Sequence, residues 1–189
     1  NPCSEYMFLD DTACNLASLN LLTFRGPDGD FQTQAFAHGV RLWTLVLEIS
    51  VLMAQFPSKR IAELSYRYRT LGLGFANIGG LLMSLGLSYD SATGRAICGA
   101  ISALMTGASY ATSAEMAAEL GTFPGYPDNA EHMLRVIRNH RRAAHGLADG
   151  YEHLNTRPVP LDHGACPDKA LIDAATLAWD RALALGEEH

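Results

Sequence analysis

The sequence predicts a mainly helical α/β fold, with long helices covering a few short strands. Three observations carry this. Apolar residues recur at steps of three and four over long stretches, the mark of a helix that buries one face. Between them lie short apolar segments, residues 15–21 and 69–74, too short for independent helices. The 189 residues are 48% hydrophobic and 18% charged, with mean hydropathy +0.02, which is enough apolar material for a core and excludes disorder. The length suits one domain or a piece of a larger one. An all-α bundle fits the composition equally well.

The elements follow in order. Residues 1–24 mix Asn, Cys, Ser and aliphatics without a clean period, and read as loop, then a strand over 15–21. Gly26-Pro27-Asp28-Gly29-Asp30 is a turn, since proline presets φ and glycine accepts positive φ. Phe36, Val40, Trp43, Leu47, Val51 and Ala54 line one face of a long helix that Phe56-Pro57 ends. Ser58 caps a short helix over 59–66. Residues 69–74 form a strand or turn, followed by a buried helix over 75–85. Ser91 opens an Ala-rich helix that runs to Leu120 and stops at Gly121. A loop with two prolines leads to a helix over 129–147, and 155–167 is extended. Pro167 suits the first turn of the last helix, where its missing N–H costs nothing. That helix is expected to bury Leu171, Ala175 and Trp179 and to expose Lys169, Asp173, Thr176 and Asp180.

Charge and cysteine usage narrow the function. Lys plus Arg number 14 against 20 Asp plus Glu, a net charge of −6. Non-specific nucleic-acid binding needs a positive surplus to displace counterions, so no nucleic-acid partner is expected. The longest apolar run, residues 42–54, contains Glu48 and is too short to cross a bilayer, so no membrane partner is expected either. No signal-peptide pattern opens the chain. The cysteines are Cys3, Cys14, Cys98 and Cys166, with no C-x-x-C pair. That density is not a disulfide scaffold, and the thiols are expected to be reduced in a cytoplasm. The chain opens at Asn1 on its densest polar cluster and closes within a helical pattern, and so reads as an excerpt from a longer polypeptide.

That opening cluster carries chemistry. Asn1, Cys3 and Glu5 alternate, and in an extended segment positions i, i+2 and i+4 face one side. An amide, a thiol and a carboxylate would share one space, offering hydrogen bonding, a sulfur nucleophile or radical carrier, and a general base. Cys14 follows, and a second thiol returning to that space could act as reductant. Against this stands the ordinary role of cysteine as a small buried hydrophobe, and a three-letter pattern alone is weak.

The residues around the cluster add to it. Asn1-Pro2-Cys3-Ser4-Glu5-Tyr6, followed by Ala13-Cys14-Asn15-Leu16-Ala17-Ser18-Leu19-Asn20-Leu21, resembles the finger-loop region of the ribonucleotide reductase catalytic subunit. The wording is closest to the class II, adenosylcobalamin-dependent enzymes. Arg69-Thr70-Leu71-Gly72-Leu73-Gly74 resembles the family's R-x-L-G-[IL]-G segment, and Ala117-Ala118-Glu119-Leu120-Gly121-Thr122-Phe123 its A-x-E-x-G-x-F turn. Residues 158–163 and 184–189 also fit class II wording. The resemblance implies a ten-stranded α/β barrel of two antiparallel halves, of which residues 1–189 would be a partial catalytic barrel domain. Its finger loop would occupy about 1–14, with no second domain.

The resemblance also implies a mechanism. Cys3 would be the thiyl radical that abstracts the 3′-hydrogen of a ribonucleotide, a reversible transfer because the S–H and C–H bonds are of comparable strength. Glu5 would take the 3′-hydroxyl proton as general base. Asn1 would position the ribose hydroxyls. Cys14 would be one half of the redox pair that reduces the 2′-carbon, its partner lying outside this sequence. Adenosylcobalamin would supply the radical by cobalt–carbon homolysis. A thioredoxin-type or dithiol reductant, dNTP effectors acting through regions absent here, and a possible homodimer complete the implied partners. The substrate could be a diphosphate or a triphosphate. Two alternatives are a class I large subunit, with its radical from a separate small subunit, and a non-catalytic helical module that keeps reductase-like wording.

Other features read as structural. Gly72, Gly74, Gly79 and Gly80 fail the G-x-G-x-x-G pattern at Asn77 and suit close backbone packing. Arg135, Arg138, Arg142 and His145 form a basic helical stripe expected to be solvated, with Glu131 and Arg135 as an i,i+4 pair. His140 and His145 are five apart, outside metal-ligand spacing on a helix, so no metal site is expected. Cys98 is expected in the core. Cys166 precedes a helix, where the dipole could lower its pKa, although a structural thiol is the plainer reading. Tyr66 and Tyr68 are expected to pack rather than relay radicals.

Overall fold

The structure is a computed structural model that describes residue 7 and residues 9–189. In chain order it contains β1 (Asn15–Asn20), a 3-10 turn (Leu21–Phe24), α1 (Thr33–Met53), α2 (Lys59–Tyr68), β2 (Leu71–Ala76), α3 (Ile78–Ser84), α4 (Ala92–Leu120), α5 (Ala130–Ala144) and α6 (Lys169–Glu188). Among the described residues the strands form one two-stranded sheet, β1 parallel to β2, with Leu16 opposite Gly72, Ser18 opposite Gly74 and Asn20 opposite Ala76. A parallel pair needs a crossover, and α1 and α2 supply it. The mainly helical α/β class stands, while the ten-stranded barrel is not formed by these two strands.

Local signals placed most boundaries. The hydroxyls of Ser58 and Ser91 accept from the backbone N–H of Ile61 and Gly94, so each caps its helix as the sequence predicted. Asp168 caps α6 by accepting from Leu171 N at 2.9 Å, so Pro167 stands one residue before the cap and outside the first turn where it was expected. Proline is tolerated there, since a residue outside the helix owes no N–H to its ladder.

Pairing and packing moved other boundaries. The segment after Arg69 is a strand through Ala76, and the following helix starts at Ile78 rather than Phe75. Phe75 and Ala76 find partners in Leu19 and Asn20, and Asn77 then turns in the left-handed region (φ 69°). On α1 the core face is Phe36, Val40, Thr44, Leu47 and Val51; Trp43 is exposed. Over four turns the 3.6-residue period favours the step of four, so Thr44 takes the inward position and its hydroxyl bonds back to Val40 O at 2.8 Å. Helix α1 has 21 residues and contains an 18-residue stretch of mean hydropathy 1.4, so by length and composition it could cross a membrane. The run starting at Leu42 understated its extent. Its Arg41 and Glu48 pair with Glu115 and Arg69 of this chain, and its inner face lies in the core.

The main core joins Leu19 and Leu21 to Phe36, Val40, Leu81, Leu82, Ile101, Leu104 and Leu171. A second cluster centres on Trp179, wholly buried with Ala111, Ile137 and Ala182. Gly107 of α4 lets α6 approach: a Cβ there would stand 3.1 Å from both Ala178 Cβ and Trp179 Cδ1. Of the α6 positions expected at the surface, Lys169 and Asp173 are exposed but Thr176 and Asp180 are half-buried, because α5 covers that side.

Candidate functional site

The two-stranded sheet has unlike faces. Successive strand residues point to opposite sides. Leu19 of β1 and Leu73 and Phe75 of β2 join the core beneath. On the other side, Leu16, Ser18 and Asn20 are exposed above Gly72, Gly74 and Ala76. By the same alternation Cys14 stands on this open side, just before β1. Thus one end of a glycine-floored polar face carries a thiol, and the other end carries Asn20, whose side-chain oxygen accepts from Asn77 Nδ2 at 2.8 Å.

The Cys14 segment is fixed by hydrogen bonds from both neighbouring helices. Ala13 N donates to the hydroxyl of Ser65, a buried residue of α2, at 3.0 Å. Asn15 Nδ2 donates to Ser50 Oγ of α1 at 2.8 Å, and that hydroxyl donates to Leu47 O at 2.7 Å. The Cys14 thiol, half-buried, donates to Asn15 O at 3.5 Å. Below the segment, Arg69 caps α2 in the left-handed region (φ 50°), its N–H donating to Ser65 O. Its guanidinium is about 10% exposed, bonds Glu48 Oε1 through Nε at 2.6 Å, and lies 5.0 Å from the Tyr66 ring. The cation thus ties the entry of β2 to the end of α1. Tyr66 is exposed beneath this cation rather than packed inside; Tyr68 packs against Gly125.

Cys14 is therefore placed on a built, partly open surface. Asn1, Cys3 and Glu5 lie outside the described residues, as do most positions of the expected finger loop. The contribution of Gly72 escaped sequence reasoning. A Cβ there would stand 2.3 Å from Leu16 Cδ2, 2.9 Å from Cys14 Sγ and 3.2 Å from Asn15 O. The R-x-L-G-[IL]-G wording marked the segment, but only the strand register brings its first glycine under the thiol.

The remaining candidates are structural. Cys166 is buried in the main core, and burial pushes its thiol up, against the dipole-lowered alternative. Cys98 is half-buried on α4 rather than in the core, and its thiol is also raised by burial. The basic stripe of α5 is tied into the chain instead of solvated. Arg138 bonds Glu152 and Glu131 at 2.8 Å, which takes Glu131 away from the expected Arg135. His145 Nε2 lies 2.8 Å from Asp180 Oδ1, and Arg141 Nε donates to the same oxygen at 2.6 Å. Burial alone would raise Asp180, but the hydrogen bonds from His145 and Arg141 hold its carboxyl below the usual range. His140 stacks on Trp179 with ring centroids 5.2 Å apart. Among the described residues no group of three or more His, Cys, Asp or Glu could hold a metal ion.

Comparison with known proteins adds the family. A family model described as "Ribonucleotide reductase, barrel domain" matches residues 1–189. A protein of Bradyrhizobium diazoefficiens named vitamin B12-dependent ribonucleotide reductase is 69% identical over the whole of this chain. One of the same name from Agrobacterium fabrum is 66% identical, again over the whole chain. A vitamin B12-dependent ribonucleoside-diphosphate reductase of Mycobacterium tuberculosis is 29% identical over 68% of the chain. The chain spans 15% of the length of the first two relatives.

Proposed function

Because the chain belongs to the ribonucleotide reductase family through its barrel domain, we propose that it forms part of the catalytic barrel of an adenosylcobalamin-dependent enzyme that reduces ribonucleotides to 2′-deoxyribonucleotides. The observation that carries this reading is the 69% identity, over the whole chain, to a relative of that name, in a sequence that contains Asn1, Cys3, Glu5 and Cys14. In this reading residues 1–189 belong to one catalytic domain, with residues of about 1–14 as the finger loop. Strands β1 and β2 are neighbouring parallel members of the barrel.

The reaction follows from the chemistry of those side chains. Cys3, as a thiyl radical, takes the 3′-hydrogen of the ribose while Glu5 accepts the 3′-hydroxyl proton and Asn1 holds the hydroxyls. Water leaves the 2′-carbon. Cys14 and a second cysteine of the complete polypeptide then supply two electrons and two protons and close a disulfide. The balance is ribonucleotide plus two thiols to deoxyribonucleotide, water and a disulfide, which a thioredoxin-type protein or a dithiol reopens. The place of Cys14 on the face of the sheet turned away from Leu19, Leu73 and Phe75 of the core supports this role, since a redox thiol must be reached by both substrate and partner thiol. A chemistry that needs its thiols reduced between turnovers suits a cytoplasmic setting. The names of the relatives support adenosylcobalamin, which when bound supplies the radical.

The class I alternative shares the cysteine chemistry but takes its radical from a separate subunit, and the B12-dependent names of the relatives favour class II. The test is to incubate the complete polypeptide with a ribonucleotide and a dithiol, with and without adenosylcobalamin, and to quantify deoxyribonucleotide. Product only with the cobalamin is expected. No product with it, or equal product without it, overturns the class II reading.

A further inference from the structure

We propose that Gly72 is a positioning residue for the Cys14 thiol: its missing side chain leaves the space into which Sγ settles, and so sets how far the thiol stands above the sheet. The inference rests on the redox role proposed for Cys14. It is carried by the parallel register and by the space itself.

Leu16 and Gly72 are partners in the ladder. A Cβ on residue 72 would stand 2.9 Å from Cys14 Sγ, closer than carbon and sulfur approach without bonding. Any other residue at this position must move the thiol. The backbone on either side leaves little freedom to compensate. Ala13 is held by Ser65, Asn15 is held by Ser50, and the strand partner is tied through Arg69 to Glu48. With both ends of the segment fixed, the thiol responds by rotating about its own Cα–Cβ bond, away from the sheet. The same fixed ends explain why a glycine is needed at this position in particular. Gly74, the next on this face, has only Ser18 Oγ within 3.6 Å of its would-be Cβ, an ordinary contact. A Cβ at residue 74 fits as the neighbours stand; one at residue 72 fits only if Leu16 and the thiol move.

The step affected is the closing of the disulfide. Two thiols each lose a proton and together pass two electrons to the 2′-carbon as the S–S bond forms. Disulfide formation is demanding in geometry, with an S–S length of about 2.0 Å and a narrow dihedral range. A displaced Sγ therefore slows that step without touching hydrogen abstraction at Cys3.

The test uses Gly72→Ala in the complete polypeptide, with Gly74→Ala as the control. Of the contacts closer than 3 Å that the new methyl makes, one is the end of Leu16, which is exposed and can swing away, and the other is the thiol. The fold should hold. Three quantities are read: the unfolding midpoint, the iodoacetamide alkylation rate of reduced Cys14 as a function of pH, and single-turnover deoxyribonucleotide formation without external dithiol. The expected result for Gly72→Ala is an alkylation rate changed about tenfold and product formation slowed by about tenfold or more, since misplacing a reacting group by on the order of 1 Å costs up to ~10²-fold. Gly74→Ala should leave both near wild type. If Gly72→Ala unfolds the protein, the double variant Leu16→Ala/Gly72→Ala removes the competing clash and is compared with Leu16→Ala. Wild-type alkylation and single-turnover rates in a folded Gly72→Ala, or a double variant indistinguishable from Leu16→Ala, overturn the proposal. The alkylation readout needs no turnover, so a polypeptide that reduces no ribonucleotide would sink the proposed function while still deciding the position of the thiol.

Discussion

The two ends of the molecule are held together by different forces. Around β1 and β2 the contacts are directional: Ser65 with Ala13, Ser50 with Asn15, Arg69 with Glu48, and a thiol over a glycine. Around α4, α5 and α6 they are volumetric: Trp179 wholly buried, Gly107 beneath it, and alanines between the helices. Hydrogen bonds fix where an atom stands, whereas close packing fixes whether the fold exists at all. The end that carries Cys14 is built for the first purpose. Changes at the thiol and the glycine beneath it should alter chemistry more than stability, and changes at the helical end should do the reverse.

The sharpest test of the helical end is Trp179→Ala, which deletes the largest wholly buried side chain. A loss of about 3–5 kcal/mol in denaturant unfolding is expected. A loss below about 1 kcal/mol would mean that the packing there is not what holds the helices together. Next comes Arg69→Ala, which leaves Glu48 half-buried without its cation. It should cost roughly 2–3 kcal/mol, less than for a pair wholly removed from water. Its alkylation rate at Cys14 should also shift, because β2 would lose its tie to α1. Gly107→Ala gains helix propensity but presses a methyl toward Ala178 and Trp179. Overpacking and propensity nearly offset, leaving a net loss of about 1 kcal/mol.

The smallest effect is expected where α5 meets α6 at the helical end. Asp180 has its pKa lowered in the folded state by His145 and Arg141, against the opposing effect of burial. A lowered folded pKa means that its stabilising contribution is present above the ordinary carboxylate value and disappears as pH falls through the folded one. Asp180→Asn should therefore be slightly less stable than wild type near neutrality, and the two should converge in acid. Unfolding midpoints at neutral and acidic pH check this, and a gap that widens in acid would contradict it.

What the sequence disclosed divides along the same line. Caps at Ser58 and Ser91 were legible because an N-cap hydroxyl acts within three residues of itself. The resemblance marked Cys14 because its wording is local too. The end of β2 was not legible: Phe75 belongs to the strand only because Leu19 lies opposite, a contact 56 positions away along the chain. Glu131 was assigned to Arg135 by helix spacing, yet Arg138 draws it across because Glu152 already anchors that guanidinium. Asp180 looked like a surface residue until α5 brought Arg141 and His145 to it. Gly72 shows the same limit at the candidate site. Its glycine could be read, but the thiol it accommodates appears only when two strands are laid side by side.

The measurement that bears most directly on the proposed chemistry is turnover by Cys3→Ser in the complete polypeptide, supplied with ribonucleotide, dithiol and adenosylcobalamin. A hydroxyl in place of the thiol cannot carry the radical, so no deoxyribonucleotide should form while the unfolding midpoint stays at the wild-type value. Deoxyribonucleotide formed by Cys3→Ser at the wild-type rate would contradict the account.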